Sequence, residues 1–355
     1  MTSDLLDLTA ELIDIPSLSH HEQAITDHLE AKLRAAPWLT VDRHEHNLIA
    51  RTNLGRPMRV VLAGHTDTVP VNNNDRARLD GDTLWGLGAS DMKSGVAVQL
   101  DLATTVDNPA VDVTYVFYAC EEVVGEHNGL GHVARDRPEL LQGDVAILGE
   151  PTDAVLEAGC QGTMRLDITL MGVRAHSARP WMGRNAIHRL GRLLAIVDEW
   201  EGRRPVVDGC EYREAVQAVL VEGGVAGNVV PDRARVMINH RFAPDRDPDT
   251  ADAWLRELLA PALDDGDTID IADSVGGARP GLDHPLFAAL IARNGLDVRA
   301  KLGWTDVARF SALGMPAVNL GPGDPLLAHA PDERVTRAQL ERTWTILHDL
   351  LVNGA

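Results

Sequence analysis

Four short, largely apolar runs, each followed at once by glycine or by polar residues, constrain the fold of this chain more than any other feature. Such runs, without regular alternation, are typical of strands that are buried on both faces of a parallel sheet. In open α/β sheets, the segments beyond the carboxyl ends of these strands converge and form the ligand site. The sequence therefore predicts an α/β fold whose site is built from distant segments. The runs are residues 60–63, 113–119, 145–148 and 317–320.

Seven acidic and histidine residues follow these runs or lie in glycine-rich turns. Each alone is a weak signal, because isolated His-x-Asp and Glu-Glu pairs are common on protein surfaces. Five carboxylates brought to one site would repel each other unless a cation offset their charge. Two divalent ions supply a charge of +4, which three carboxylate ligands and one bridging hydroxide balance, so the pattern predicts a two-metal hydrolase site. The residues are His65, Asp67, Asp91, Glu121, Glu122, Glu150 and His329.

The residue pattern changes between Gly162 and Gly277, where short alternating strands are interleaved with amphipathic helices. We predict helices near residues 185–200 and 248–263 within a β-α-β-β-α-β order, which is typical of a small two-layer domain with an antiparallel sheet. After Pro280 the pattern of strands and helices resumes. The prediction is therefore a ferredoxin-like α+β domain, residues 163–277, inserted into a discontinuous domain that comprises residues 1–162 and 278–355.

Length and charge exclude several classes of protein. The chain has 355 residues, which suffices for two domains, and its net charge of -20 argues against nucleic acid or an anionic membrane as partner. No apolar stretch approaches the roughly 20 residues of a membrane span, and the first residues lack a signal-peptide pattern. We therefore expect a cytoplasmic protein. Its cysteines, which lack the spacing of a disulfide framework, a metal site or a nucleophile, are Cys120, Cys160 and Cys210.

A series of motifs in this order resembles the M20 metallopeptidase/deacylase family across essentially the whole chain. The resemblance implies a zinc-exopeptidase-like α/β/α catalytic domain with an inserted smaller lid and dimerisation domain, and therefore a homodimer. The motifs are Gly64-His65-Thr66-Asp67, Ser90-Asp91-Met92-Lys93-Ser94-Gly95, Glu121-Glu122, Gly149-Glu150-Pro151-Thr152, Asn319-Leu320-Gly321-Pro322-Gly323 and Ala328-His329.

The resemblance also implies a set of metal ligands. One zinc ion would be bound by His65, Asp91 and Glu150, and a second by Asp91, Glu122 and His329, so that Asp91 bridges the two ions. Nitrogen and oxygen ligands of this kind suit zinc, and cobalt or manganese are expected substitutes. Two such ions can share a hydroxide and polarise a carbonyl, which is what hydrolysis of an amide requires.

Two further carboxylates are expected to act beside the metal ions. The resemblance makes Glu121 the general base and acid, which takes a proton from the attacking water and returns it to the leaving amine. Adjacent strand residues point to opposite faces, so Glu121 and Glu122 both reach one site only if the strand has ended. Asp67, on the same side of an extended segment as His65, can orient its ring; the alternative is a turn residue. The family also implies a cis peptide bond between Asp91 and Met92.

The inserted domain carries a second group of polar motifs. By resemblance, His176 reaches across a dimer interface and stabilises the tetrahedral oxyanion, while Asn228 and Arg241 bind substrate carboxylates. Donors preorganised around a developing negative charge are a large catalytic contribution. The alternative interpretation is that these three residues are ordinary polar residues on a lid surface.

The segment from Lys301 to Phe310 resembles the desuccinylases of the family, of the actinobacterial type. We therefore expect hydrolysis of N-succinyl-LL-2,6-diaminopimelate to succinate and LL-2,6-diaminopimelate, a step of lysine and diaminopimelate biosynthesis. Alternatives are another deacylase such as acetylornithine deacetylase, a dipeptidase, or a non-catalytic metal-binding regulator. An anionic substrate of an acidic protein requires fixed local donors. The candidates besides Asn228 are Arg179, Arg241, Thr305 and Arg309.

Overall fold

The computed structural model describes residues 4–355, which form helices and strands throughout. The helices are α1 (Leu5–Ile13), α2 (Gln23–Arg34), α3 (Lys93–Thr105), α4 (Gly129–Asp136), α5 (Ala186–Glu199), α6 (Pro248–Leu259), α7 (Pro285–Asn294), α8 (Val307–Ala312) and α9 (Arg337–Asn353). The strands are β1 (Thr40–His44), β2 (Asn47–Arg51), β3 (Arg59–His65), β4 (Arg78–Asp80), β5 (Thr83–Trp85), β6 (Asp112–Tyr118), β7 (Val145–Leu148), β8 (Leu156–Ala158), β9 (Gly162–Met171), β10 (Ala175–His176), β11 (Val206–Val207), β12 (Cys210–Glu211), β13 (Ala215–Gly223), β14 (Val229–Val230), β15 (Arg233–Phe242), β16 (Thr268–Val275), β17 (Val298–Ala300), β18 (Ala317–Asn319) and β19 (Arg334–Thr336).

The chain divides into two compact units. Unit 1 comprises the described residues up to Ala158 together with Pro280–Arg299 and Arg309–Ala355. Unit 2 comprises Gly159–Arg279 and Ala300–Ala308. Relative to the predicted boundaries, unit 2 therefore also contains a short segment from the last third of the chain. Among residues 4–355, no helix is both long and apolar enough to cross a membrane.

Unit 1 is built on an eight-stranded sheet with the strand order β1-β2-β6-β3-β7-β18-β8-β17. Its centre is parallel: β3 pairs in parallel with β6 and β7, and β18 pairs in parallel with β7. Every residue of β6, β7 and β18 is buried, because helices cover both faces of such a sheet. The four apolar runs therefore form buried parallel strands, as predicted, and antiparallel strands flank them.

Helix α3 packs against the centre of this sheet and brings the chain close to the end of β7. Its residues from Lys93 to Ala103 are all buried, and the Gln99 side chain donates a hydrogen bond of 2.9 Å to the Ala63 carbonyl of β3. A Cβ at Gly95 would collide with the carbonyl oxygen of Gly149. Glycine at position 95 is therefore what allows α3 to approach the turn after β7.

Unit 2 has the predicted β-α-β-β-α-β order in its principal elements, β9, α5, β13, β15, α6 and β16. These strands form an antiparallel sheet in the order β13-β15-β9-β16. Residues of β15 alternate between buried and more exposed, so one face packs with α5 and α6 in a shared apolar core. The predicted helix over 248–263 is too long: α6 ends at Leu259 and a 3-10 helix, Ala260–Ala262, follows, because Pro261 has no N–H to continue the α-helical bonding.

Candidate metal centre

The first component of the site is the end of β3. His65, its last residue, is 1% exposed, and its Nε2 lies 3.1 Å from Asp91 Oδ1. On the other side of the ring, Nδ1 lies 3.1 Å from the Asp67 carbonyl oxygen and 3.6 Å from Asp67 Oδ1. Asp67 thus contacts the ring from the side that faces away from Asp91. These contacts fix the ring plane and leave Nε2 directed toward the carboxylates.

Asp67 also fixes the turn that carries Glu121 and Glu122. Strand β6 ends at Tyr118, and Cys120 adopts a left-handed backbone conformation with a φ of 58°. The amide nitrogens of Glu121 and Glu122 donate hydrogen bonds of 3.0 and 3.1 Å to the two oxygens of Asp67. The requirement that the strand end before both glutamates is therefore confirmed.

The environment of Asp67 keeps its carboxylate ionised. Burial alone would raise the pKa of Asp67, but the hydrogen bond with His65 and those from the backbone and from Ser19 lower it below its usual value. The Ser19 hydroxyl donates a hydrogen bond of 2.7 Å to Oδ2. Sequence reasoning missed Ser19, because nothing local in its sequence links it to a residue 48 positions away.

A buried glutamate, Glu333, holds the loop that carries Asp91. Its carboxylate accepts hydrogen bonds from the backbone nitrogens of Gly88, Ser90 and Asp91 at 3.1, 2.8 and 2.8 Å. Burial nevertheless raises the pKa of Glu333 to about 7. The peptide bond between Asp91 and Met92 is cis, as expected. Glu333 was not predicted from the sequence, since its contacts are made with backbone atoms more than 240 residues away.

The acidic and histidine residues meet in overlapping clusters, two of which share Asp91. Potential ligand atoms of His65, Asp91 and Glu150 lie within 4.8 Å of one another, and so do those of Asp91, Glu122 and His329. In the second cluster, His329 Nε2 lies 2.9 Å from Glu122 Oε1 and 3.7 Å from Asp91 Oδ2. Two imidazoles and three carboxylates form a donor set that suits zinc and related divalent ions.

The carboxylates make both imidazoles strongly basic. Burial alone would lower the pKa of His65, but Asp67 and Asp91 raise it well above its usual value. The hydrogen bond with Glu122 raises the pKa of His329 to about 9. Because a metal ion binds only the neutral imidazole, it would replace these protons and provide the positive charge that the carboxylates attract.

Glu121 and Glu150 follow β6 and β7, the two strands that flank β3 in the same sheet. Glu150, two residues after β7, is 6% exposed. Glu121 is half-buried, and a ligand atom of its side chain lies within 4.8 Å of His65 and Glu122. Glu121 therefore borders both clusters, a position from which a carboxylate can exchange a proton with a molecule held between them.

In unit 2, the structure brings His176 and Asn228 together. Strand β10 pairs with β14, and the Ser177 nitrogen donates a hydrogen bond of 2.9 Å to the Asn228 carbonyl. His176 Nδ1 accepts a hydrogen bond of 3.0 Å from the Ala178 nitrogen, so in the neutral ring the proton is on Nε2. Both His176 and Asn228 are exposed. The neutral imidazole can therefore present an N–H donor to a ligand.

Arg241 lies at the other end of the same sheet. It is near the end of β15, whereas His176 and Asn228 lie near Arg233, where β15 begins; eight residues of strand span about 27 Å. Burial and the neighbouring Arg165 lower the pKa of Arg241. Within one unit 2, the structure does not bring the three motif residues to a single point.

The remaining candidates for substrate binding are dispersed. Arg179 is exposed, and its backbone nitrogen donates a hydrogen bond of 2.8 Å to the His176 carbonyl. Thr305 is buried in unit 2. Arg309 belongs to unit 1 and donates a hydrogen bond of 3.4 Å to the Gly125 carbonyl, in the loop that follows the two glutamates.

Comparison with known proteins identifies relatives of the whole chain. Residues 61–353 match the model of peptidase family M20/M25/M40. A protein from Mycobacterium tuberculosis named putative succinyl-diaminopimelate desuccinylase DapE is 52% identical over 94% of each chain. A succinyl-diaminopimelate desuccinylase from Corynebacterium glutamicum is 44% identical over 99% of this chain and 97% of its own.

Solved structures with low sequence identity share the fold. A tripeptidase from Staphylococcus aureus has a TM-score of 0.82 at 20% identity, covering 98% of this chain and 97% of its own. The YxeP protein of Bacillus subtilis, described as a dinuclear metal binding peptidase from the M20 family, has a TM-score of 0.69 at 16% identity, with coverage of 98% and 96%. At such identities the likeness establishes the mixed α/β fold and nothing further.

Proposed function

Because the chain belongs to peptidase family M20/M25/M40, we propose that it is a succinyl-diaminopimelate desuccinylase, which hydrolyses N-succinyl-LL-2,6-diaminopimelate to succinate and LL-2,6-diaminopimelate. Relatives at 52% and 44% identity carry this name over nearly their full length. The observation that carries the chemistry is the pair of ligand clusters that share Asp91, with Glu121 at their border. An amide hydrolase needs this combination of cation-binding and proton-transferring groups.

The donor atoms fit two divalent ions, which we propose to be zinc, with cobalt or manganese as substitutes. His65 and Glu150 would hold one ion, Glu122 and His329 the other, and Asp91 both. When bound, the ions would supply Lewis acidity toward the amide carbonyl and the attacking water. Asp67 accepts hydrogen bonds from the backbone nitrogens of Glu121 and Glu122 and contacts the His65 ring, and Glu333 accepts one from the Asp91 nitrogen, which holds these residues in place.

Glu121 is the residue that we propose as general base and acid. Its backbone nitrogen donates a hydrogen bond of 3.0 Å to the Asp67 carboxylate. This contact fixes the backbone at Glu121 and therefore the point from which its side chain extends. From there the carboxylate takes a proton from the attacking water and gives it to the amine nitrogen as the amide bond breaks. His176, with its proton on Nε2, would donate to the oxygen of the amide carbonyl as negative charge develops there.

Recognition of the substrate requires fixed positive charge, since the substrate carries three carboxylates and the chain a net charge of -20. We propose that Arg241, Arg179 and Arg309 supply it. A guanidinium can donate to both oxygens of one carboxylate. The lowered pKa of Arg241 shows the cost of its burial, a cost that a bound carboxylate would offset. Asn228 and Thr305 would add neutral hydrogen bonds.

The separation within unit 2 supports a homodimer. An extended N-succinyl-diaminopimelate is about as long as four residues of extended chain, roughly 14 Å, whereas β15 spans about 27 Å from Arg233 to Arg241 alone. This stretch separates the β10–β14 pair that holds His176, whose β14 ends three residues before Arg233, from Arg241. If both residues contact one substrate, they come from two chains. Strand β13, at the edge of the sheet, exposes Val219 and Val221, and such an edge is suited to pairing with a second copy.

The proposal is tested by turnover of the zinc-reconstituted protein on N-succinyl-LL-diaminopimelate beside N-acetylornithine and a panel of dipeptides. We expect release of succinate that is lost in Glu121→Ala. Preferential hydrolysis of another amide would keep the metal chemistry and replace the substrate. No turnover of any compound, with metal bound, would favour a metal-binding regulator.

Mixed dimers test the contribution of the partner subunit. We expect that exchange of subunits between His176→Ala and Glu121→Ala proteins restores activity, because each heterodimer would contain one site with both residues intact. Absence of recovery in heterodimers whose formation has been demonstrated would assign His176 to the site of its own chain. We also propose a cytoplasmic location, consistent with three free, buried cysteines.

A further inference from the structure

The turn that carries Glu121 has a second buried carboxylate beside it, contributed by Glu22. Glu22 is fully buried, and its Oε1 accepts hydrogen bonds of 3.1 Å from the Cys120 nitrogen and 3.2 Å from the Cys120 thiol. The same oxygen accepts a hydrogen bond of 2.9 Å from the His20 nitrogen. Glu22 therefore holds the residue that directly precedes Glu121 in the chain.

Two carboxylates together hold three consecutive amides of this turn. Glu22 accepts from the Cys120 nitrogen, and Asp67 accepts from the nitrogens of Glu121 and Glu122. Cys120 has a φ of 58°, in the left-handed region that residues with a side chain seldom adopt. Such a conformation persists only where its surroundings impose it. The Glu22 carboxylate supplies that constraint at Cys120 itself.

The start of α2 fixes Glu22 in turn. The Glu22 carbonyl accepts hydrogen bonds of 2.9 Å from both the nitrogen and the hydroxyl of Thr26. Glu22 is also the N-cap residue of α2, and the partial positive charge of a helix N-terminus stabilises a carboxylate there. A residue on a helix end positions its contacts more accurately than a residue on a loop. Contacts therefore run from α2 through Glu22 and Cys120 to Glu121.

We propose that Glu22 is a positioning residue for the reaction, which sets the direction from which the Glu121 carboxylate reaches the attacking water by holding the Cys120 amide. This role rests on the proposed function, in which Glu121 transfers the proton. Displacement of a reacting group by about 1 Å can lower a rate by roughly 100-fold. Contacts that bind the substrate before it reacts do not involve this turn's geometry, so loss of Glu22 should lower kcat and leave KM unchanged.

Asp112 provides a matched control at the other end of the strand that leads to this turn. It is the first residue of β6 and is 4% exposed. Its carboxylate accepts hydrogen bonds of 2.8 and 2.9 Å from the nitrogens of Leu54 and Arg56, and one of 2.9 Å from the Thr52 hydroxyl. Removal of either carboxylate leaves backbone amides without their acceptor, which lowers stability in both cases. Asp112, however, is separated from the turn by the length of β6.

Steady-state kinetics of the zinc-reconstituted variants test the proposal on whichever amide the wild type hydrolyses. We expect Glu22→Ala to lower kcat by about 10- to 100-fold at unchanged KM, whereas Asp112→Ala should lose thermal stability and keep both kinetic parameters. Glu22→Gln retains one oxygen that can accept the Cys120 amide, so it should recover most of the lost kcat. Cys120→Ala removes the thiol and keeps the amide, so its kcat should stay close to that of the wild type.

Hydrogen exchange measured by mass spectrometry follows the turn without catalysis. The amides of residues 120–122 should exchange faster in Glu22→Ala than in the wild type or in Glu22→Gln, because their protection depends on the local opening of this turn. If Glu22→Ala does not fold, Glu22→Asp replaces it in both measurements, since the shorter side chain keeps the charge and withdraws the oxygen from Cys120.

The proposal is overturned if the folded Glu22→Ala or Glu22→Asp protein has the wild-type kcat, if KM rises in place of a fall in kcat, or if exchange of the turn is unchanged. It is also overturned if Asp112→Ala loses as much kcat, because destabilisation would then explain the loss, or if Glu22→Gln is as impaired as Glu22→Ala. Glu121→Ala in the same assay separates this role from the proposed function. Full activity of Glu121→Ala would remove the proposed general base, whereas Glu121-dependent turnover with a normal Glu22→Ala would remove the positioning role alone.

Discussion

Buried carboxylates serve different purposes in the two units. In unit 1, Asp67 and Glu333 are held by backbone amides, with a hydroxyl and an imidazole added at Asp67. In unit 2, Glu214 contacts Arg203 and Arg246, and Asp267 contacts Arg189. An arginine neutralises the charge of the carboxylate that it contacts, and the pair stabilises the fold. Amides fix its position while contributing no full positive charge, so the cluster keeps its attraction for divalent ions.

The largest effect is expected when the proton-transferring group is removed. Glu121→Ala should lower kcat by a factor of about 10² to 10⁴, the range for general acid–base catalysis. Glu121→Gln, which preserves the shape of the side chain, should be nearly as inactive. Metal content by elemental analysis should equal that of the wild type. A loss of metal in parallel with activity would instead make Glu121 a ligand.

A smaller loss is expected at Asp67, which acts through the groups it holds. In Asp67→Asn, one carboxylate oxygen becomes an NH₂ group, which cannot accept the hydrogen bond from the backbone nitrogen of Glu121 or of Glu122. We expect metal affinity or kcat to fall by about 10- to 100-fold, as for other residues that orient metal ligands. The measurements are a competitive chelator titration and steady-state kinetics.

Ser19→Ala is the matched control for Asp67, because it removes only the hydroxyl that donates to Oδ2. Its effect should be well below that of Asp67→Asn. Equal losses in the two variants would mean that the charge and hydrogen bonding of Asp67 as a whole, rather than its two amide contacts, position the glutamates.

The fold was predictable where burial imposes a periodic pattern. The central strands β3, β6, β7 and β18 were recognisable as continuous apolar runs because both of their faces are covered. The sheet of unit 2 was recognisable because one face is covered and the residues of β15 alternate. The predicted length of α6 was wrong because Pro261 ends the helix. The prediction relied on the spacing of apolar residues, which continues past the proline and does not show this local effect.

The site was predictable only in part. Its ligand set came from motifs, and the roles of those residues stay predictions. The parts that were missed act through backbone atoms: Glu333 holds the amides before Asp91, and Glu22 holds the Cys120 turn. Backbone contacts leave no compositional signal, because any residue type supplies the amide. The turn at Cys120, whose backbone nitrogen donates to Glu22 at a distance of 98 residues along the chain, shows this most clearly.

Among the pairs of arginine and carboxylate in unit 2, we expect substitution of Asp267 to have the largest effect on stability. Its side chain is 3% exposed and accepts hydrogen bonds from Arg189 and from the Met171 nitrogen. Burial alone would raise the pKa of Asp267, but these contacts lower it to about 2 from an ordinary 3.8. The difference corresponds to about 2 kcal/mol of stability. Asp267→Asn should lower the free energy of unfolding by that amount at pH 7.

The pH dependence of this effect has a definite sign. Because the folded-state pKa lies below the unfolded one, the contribution is fully present above about pH 4 and is lost as the pH falls toward 2. Urea unfolding at several pH values should therefore show the wild-type and Asp267→Asn free energies converging in acid. A difference that stays constant with pH would show that packing, rather than the charge of Asp267, is responsible.

The smallest effect is expected at an exposed pair of the same kind. Arg279 donates two hydrogen bonds to Asp208, at 3.1 and 2.7 Å, but the side chains are 58% and 41% exposed. Water competes for both partners, and exposed pairs contribute at most about 1 kcal/mol. Arg279→Ala should therefore change the free energy of unfolding by less than Asp267→Asn. The change should shrink further between 0.1 and 1 M salt, as the screening length falls from about 10 to 3 Å.

The comparison of Arg279 with Asp267 tests the effect of burial together with the backbone hydrogen bonds that come with it, because both pairs are two-pronged contacts between arginine and aspartate within unit 2. If Arg279→Ala were as costly as Asp267→Asn, the geometry of the pair would decide its strength and exposure would not. The same conclusion would then apply to unit 1, where buried amides rather than arginines hold Asp67 and Glu333. The Asp67 carboxylate would then owe its position to geometry alone, and the argument that it retains its charge beside a metal ion would lose its support.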